Sequence, residues 1–204
     1  MIEDTRLGAD VLRSVYDETS GVDGYFSLEV DPHLAHDTEG STATALRLAK
    51  AVEHPNVMIK IPATAEGLPA IQAVTAEGHN INITLMFSIE QYEQVAEAFL
   101  SGLEQRVAMF HDLKPIASVA SFFVSRVDTK VDILLDKINT SDARALQGKI
   151  AIANAKVAYQ RFQEIFQGDR WDQLVKKGAN PQRVLYGSTG TKNPAYSDVL
   201  YVEN

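Results

Sequence analysis

The segment NINITL at residues 80–85 decides between two α/β architectures. In an extended strand successive side chains point to opposite faces, so Asn80, Asn82 and Thr84 share one face while Ile81, Ile83 and Leu85 share the other. A parallel strand sandwiched between two layers of helices is apolar on both faces. A strand with one apolar and one polar face fits a closed β/α barrel, where the second face lines the interior and reactive groups stand at the C-terminal mouth.

The same two-sidedness recurs along the chain. In YFSLEV (25–30), Tyr25, Ser27 and Glu29 oppose Phe26, Leu28 and Val30; in VMIKI (57–61), Met58 and Lys60 oppose Val57, Ile59 and Ile61. IASVAS (116–121) ends in Ser121 and RVLYGS (183–188) ends in Ser188. Helical periodicity separates these strands. It predicts helices over residues 4–16 through Leu7, Val11, Leu12 and Val15, and from an Asp37 N-cap to about Val52 through Ala45, Leu48, Ala49 and Val52. Further helices are predicted over 67–76, 88–108, 127–138 and 143–166, with a last one starting near Asn193. No hairpin signal joins the strands, so the alternation reads as βα units on a parallel sheet. The barrel reading follows from five polar strand ends in order, where one alone would be a loop boundary.

Composition narrows the function classes. Of 204 residues, 45% are hydrophobic and 23% charged, an ordinary globular balance with no run long enough to span a bilayer. A net charge of −8 argues against a non-specific nucleic-acid surface. The absence of cysteine excludes disulfides, thiolate metal sites and cysteine nucleophiles, and it fits a cytoplasmic setting.

The chemistry centres on Lys60, which sits inside an apolar run. Its bland fate is to snorkel or to pair with Glu29. An amine freed from its proton by desolvation or nearby cations is instead a nucleophile toward carbonyls. With Glu29, Asn82, Thr84 and Ser121 on the same rim, Schiff-base chemistry is the better reading. Arg126 offers a fork of donors to a phosphate; its ordinary alternative is an ion pair with Asp128 or Asp132. GSTGTKN at 187–193 lacks P-loop spacing and reads as backbone amides plus Lys192 offered to an anion, or as a plain capping turn. His33 and His36 beside Asp37 lack a third ligand and read as surface residues, so no metal site is assigned. Phe162, Phe166 and Trp171 read as core or interface.

Five ordered motifs, SLEVDPHLAHDTEG, NVMIKIPAT, NINITLMFS, VASFFVSRVD and YGSTGTKNPAYSD, resemble those of the transaldolases, and most resemble the bacterial and plant branch with STGTKNP-like segments. The resemblance runs from about residue 7 to the end. It implies transfer of a dihydroxyacetone unit between sugar phosphates, as from sedoheptulose 7-phosphate to glyceraldehyde 3-phosphate, in the pentose phosphate pathway. It gives Lys60 the Schiff base, Glu29 the acid/base role through a water, and Thr84 the holding of that water. Asn82 and Ser121 would bind the dihydroxyacetone hydroxyls, and Arg126 and Ser188 the phosphate. Many relatives carry an arginine soon after that serine, and here the nearest cation is Lys192. No cofactor or metal is implied, because the iminium is itself the electron sink. Phosphorylated sugars are the expected partners, without nucleic acid or membrane, and a homo-oligomer is compatible with the family.

The family carries two strands upstream of the first motif, one holding the aspartate that deprotonates the C4 hydroxyl. Residues 1–204 are therefore expected to be one domain forming part of a (β/α)8 TIM barrel, about strands three to seven of eight, with little turnover by itself. A fructose-6-phosphate aldolase and a non-catalytic sugar-phosphate binder are the alternatives. The long segment at 127–167 and the Glu29–Lys60 pair favour transaldolase.

Overall fold

In the computed structural model, which describes residues 1–204, five strands pair in chain order and all in parallel: β1 (Phe26–Glu29), β2 (Val57–Pro62), β3 (Ile81–Met86), β4 (Ser118–Phe123) and β5 (Arg183–Gly187). The connections are helical: α1 (Ile2–Glu18) precedes β1, and α2 (Thr38–Val52), α3 (Gly67–Ala76) and α4 (Ile89–Ala108) each follow one strand. The long crossover from β4 to β5 holds α5 (Ser125–Ile138), α6 (Ser141–Leu146), α7 (Ile150–Ile165) and α8 (Gly168–Val175); a short α9 (Leu200–Glu203) follows β5.

Local chemistry sets the helix starts. The Asp37 carboxylate accepts from Gly40 N at 2.9 Å to cap α2, and Ser88 Oγ accepts from Gln91 N at 3.2 Å to cap α4. The start of α7 has no side-chain cap of its own. Asp128 of α5 supplies one from across the fold, accepting from Ala151 N at 2.8 Å.

The helices pack on one face of the sheet. Leu28, Val30, Val57, Ile59, Ile61, Ile81, Ile83, Met86, Ala120 and Phe122 join a single core cluster with Leu48, Val52, Ile71, Val74, Val95, Phe99 and Leu103 of α2–α4. Trp171, buried, stands edge-on to Phe166 at 5.0 Å, which meets Phe162 at 5.3 Å, so these aromatics seal α7 and α8 onto the core. Met58 and Val119 on the other face are buried outside that cluster.

The sheet is strongly curled. Tyr25 ahead of β1 and Arg183 at the start of β5, on opposite edges of the sheet, line one cavity of about 290 Å³ with Lys114 and Asn180. The curl, the parallel pairing and the one-sided helices are consistent with part of a β/α barrel. The edges of β1 and β5 are unpaired.

Several details differ from expectation. The predicted helix over 143–166 is two, α6 and α7, broken at Gly148 with φ +69°, and α8 is additional. β4 lies two residues later than IASVAS suggests, because Ala117 N donates to the Asn80 side chain at 2.9 Å before the ladder begins. The helix expected near Asn193 starts only at Leu200. Along α1, Leu7, Val11 and Val15 face outward, 57%, 79% and 40% exposed, while Thr5 and Ala9 face the fold. In β3, Leu85 adopts φ +61° beside a register shift in the pairing with β4. This bulge turns Leu85 out to solvent and hands its core position to Met86, which is fully buried.

Candidate active site

Alternation along each strand places Ser27 and Glu29, Met58 and Lys60, Asn82 and Thr84, Val119, Ser121 and Phe123, and Arg183 and Leu185 on the concave face. Glu29 and Lys60 are register partners on β1 and β2, and Lys60 is in turn partnered with Asn82 on β3. The Lys60 ammonium donates toward Glu29 Oε2 at 3.2 Å, with the two side chains 26% and 45% exposed. The pair is wet, so it adds little to stability. Its value is positional, since it holds an amine and a carboxylate together at the C-terminal end of the sheet.

Beside it runs a hydrogen-bonded chain. Ser121 Oγ donates to Asn82 Oδ1 at 2.7 Å, and Asn82 Nδ2 donates to Ser27 Oγ at 3.0 Å. Ser27 lies on β1 and Asn82 on β3, so the contact passes over β2, which only a curled sheet allows. These bonds fix the amide of Asn82, which is 7% exposed. Thr84 is 1% exposed, and its hydroxyl has no hydrogen-bond partner within the protein.

A second cluster stands where β4 and β5 end. Ser188, at φ +54°, shares a 2.8 Å hydroxyl contact with Ser125, the first residue of α5, whose amide donates to Ser188 O at 2.9 Å. Arg126, next in the helix and exposed, lies with its guanidinium carbon 5.0 Å over the Phe123 ring. The expected alternative, an ion pair with Asp128 or Asp132, does not form. Each of those carboxylates bonds instead to a backbone amide and a tyrosine hydroxyl. Lys192 is exposed on the segment beyond, with no contact joining it to Arg126 or Ser188.

The structure therefore brings together Glu29 with Lys60, and Asn82 with Ser121, and it sets Ser188 against the helix that begins with Ser125 and Arg126. Sequence reasoning missed Ser27 as partner to Asn82, Ser125 as partner to Ser188, and Phe123 beneath Arg126. Ser27 was visible as a polar residue on the Glu29 face; the other two depend on the packing of β4, β5 and α5. His33 contacts Asp31 at 2.8 Å and His36 contacts Glu66 at 3.1 Å, each a separate exposed pair. No helix is long and apolar enough to cross a membrane.

Over residues 1–204 the chain matches the family described as Transaldolase/Fructose-6-phosphate aldolase. It is 56% identical over 200 residues to "Transaldolase 1" of Streptomyces avermitilis, covering 98% of this chain and 53% of that protein. It is 58% identical over 199 residues to "Transaldolase" of Thermobifida fusca, covering 98% and 54%. It is 50% identical over 211 residues to "Transaldolase" of Trichodesmium erythraeum, covering 100% and 56%. The chain thus spans about half the length of the curated relatives it matches.

Proposed function

Because this chain belongs to the transaldolase/fructose-6-phosphate aldolase family, we propose that its concave face carries out the Schiff-base chemistry of a transaldolase on phosphorylated ketoses. The observation that carries the reading is the Lys60–Glu29 contact of 3.2 Å, flanked by the Ser121–Asn82–Ser27 chain. Lys60 gives up a proton to Glu29, and its neutral Nζ attacks the C2 carbonyl of the ketose and gives a carbinolamine. Glu29, acting through a water held by Thr84, moves the protons that let hydroxide leave as water. The resulting iminium withdraws electrons from the C3–C4 bond and replaces any metal or organic cofactor as the sink. Asn82 and Ser121 would bind the hydroxyls of the three-carbon unit. Arg126, Ser188 and Lys192 would hold the phosphate, which suits an arginine with no carboxylate partner in the protein.

Glu29 is the one carboxylate among the strand residues of this face, so the proposal gives these five strands imine formation and substrate grip. Carbon–carbon cleavage calls for a further base at the C4 hydroxyl. We read the strands as the third to seventh of an eight-stranded barrel and residues 1–204 as one domain, a reading supported by the two unpaired edges and the longer relatives. Transfer of the three-carbon unit within the pentose phosphate pathway, in the cytoplasm, is then the activity of the whole barrel.

Reduction with borohydride in the presence of fructose 6-phosphate tests the assignment. A sugar-derived adduct on Lys60 is expected, absent from Lys60→Ala. Lys60→Arg should fail as well, because guanidinium keeps its proton. A Lys60→Ala protein labelled like the wild type would end the proposal.

A further inference from the structure

Two carboxylates on successive turns of α5 are buried without a cation: Asp128 is 1% exposed and Asp132 is 8% exposed. Each divides its oxygens in the same way. Asp128 accepts from Ala151 N at 2.8 Å and from the Tyr201 hydroxyl at 2.8 Å. Asp132 accepts from Gly148 N at 3.2 Å and from the Tyr196 hydroxyl at 2.6 Å. One oxygen of each thus holds the start of α7, and the other holds the segment that follows β5. Burial, and then the neighbouring carboxylate, push both tyrosine hydroxyls well above their ordinary range, so both remain donors across the neutral range. Gly148 leaves room for this contact, since a Cβ there would meet the Tyr196 ring at 3.0 Å.

The segment between these tyrosines and β5 contains Ser188 and Lys192. It is staked at its first residue by the Ser125–Ser188 contacts and next by Tyr196. It has no ladder bonds of its own and is largely exposed. Only its first residue is tied to the start of α5, so the placement of the rest depends on the few polar contacts at its two ends.

We propose that Asp132 with Tyr196 is a positioning device that fixes the 189–195 segment beside Arg126 and so completes the anion site, while Asp128 with Tyr201 ties down only the chain beyond it. The proposal rests on the phosphate reading given above, and its test separates the two. Tyr196→Phe keeps the ring and removes only the hydroxyl, and Asp132→Asn is the complementary variant. Tyr201→Phe removes an equivalent bond five residues further along.

Three quantities are measured on each protein: melting temperature, the rate of tryptic cleavage after Lys192, and affinity for inorganic phosphate. Losing a charge-assisted hydrogen bond should open the segment about tenfold more often, and cleavage follows the open population. Tyr196→Phe and Asp132→Asn are expected to be cut faster at Lys192 and to bind phosphate several-fold more weakly. Tyr201→Phe, at a comparable loss of melting temperature, should bind phosphate nearly as the wild type does. Arg126→Ala should lose phosphate without faster cleavage. Unchanged cleavage in both Tyr196→Phe and Asp132→Asn overturns the anchor. Faster cleavage with unchanged phosphate affinity, or an equal loss in Tyr201→Phe, overturns its role in the site. If Arg126→Ala binds phosphate like the wild type, the phosphate reading fails, while the cleavage result still decides the anchor.

Discussion

Replacing Thr84 by valine separates chemistry from stability at one atom. The Thr84 hydroxyl is buried and has no partner in the protein, on a residue 1% exposed. A hydroxyl whose partner is a bound water contributes little net stability, because the water's immobilisation offsets the bond. Valine keeps the β-branch that suits a strand and exchanges the hydroxyl for a methyl, which adds about 0.8 kcal/mol of apolar burial. Thr84→Val should therefore leave stability within about 1 kcal/mol of the wild type, or about 2–4 °C in melting temperature for a chain of this size. Under the proposed function the same change removes the group that holds the water serving Glu29. Proton transfer by a positioned group contributes about 10²–10⁴-fold, so the lower end is the expected loss. The assay incubates the protein with dihydroxyacetone and borohydride and follows the mass of the Lys60 peptide with time. Urea unfolding is run in parallel. Thr84→Ser provides the mirror image: it keeps the hydroxyl, should be about 1 kcal/mol less stable through the lost methyl, and should keep the trapping rate. A Thr84→Val protein destabilised by more than about 1 kcal/mol would mean that the hydroxyl has a structural partner and the burial argument fails. One that is stable and traps at the wild-type rate would take Thr84 out of the chemistry.

Glu29→Gln should leave stability within about 1 kcal/mol, as for any solvent-exposed ion pair, while slowing adduct formation about a hundredfold; parallel losses would make the pair structural. Ser121→Ala strands the Oδ1 of buried Asn82 and should cost about 1–3 kcal/mol by urea unfolding, with Asn82 still tied to Ser27. Arg126→Ala should weaken phosphorylated ketoses about tenfold to a hundredfold and leave unphosphorylated ones nearly unchanged, as read from substrate dependence of trapping. Burial, aided by Tyr16, pushes Tyr25 up to about 12. Its contribution to stability is thus present below its unfolded value near 10 and is lost as pH rises through 12. Tyr25→Phe should therefore flatten the pH dependence of unfolding between about pH 10 and 12, and an unchanged alkaline slope would refute the assignment.

The strands were legible because alternation is a local property: Asn82, Lys60 and Glu29 declare their faces within five residues of sequence. The facing of Leu85 was not, since the bulge arises from the pairing of β3 with β4 and no residue there announces a positive φ. The stripe of Leu7, Val11 and Val15 shows the limit of periodicity, which identifies an apolar face but not what covers it. α8 escaped notice because Gly168–Val175 is short and mostly polar, with only Trp171 and Leu174 buried and Arg170 paired to Glu97 and Glu104 of α4. Within the candidate site, residue types and motif resemblance pointed to Lys60, Glu29, Asn82, Ser121 and Arg126. The partnerships of Ser27 with Asn82 and of the two aspartates with Tyr196 and Tyr201 join residues more than fifty positions apart. They follow from sheet curvature and helix packing, which no window of sequence contains.

The strand order β1-β2-β3-β4-β5 bears on how the chain is made. Each strand after β1 pairs with the strand made just before it, so these five can add in order as the ribosome delivers each βα unit. The last step is the slowest. Roughly sixty residues separate Phe123 from Arg183, and at 5–20 residues per second their synthesis takes about 3–12 s. Through that interval the edge of β4 waits unpaired, with Ser121 and Phe123 on it. The helices of the crossover, α5 through α8, emerge during the same seconds and can fold locally far faster than they are made. They are in place to shield that edge on one side before β5 arrives to close it.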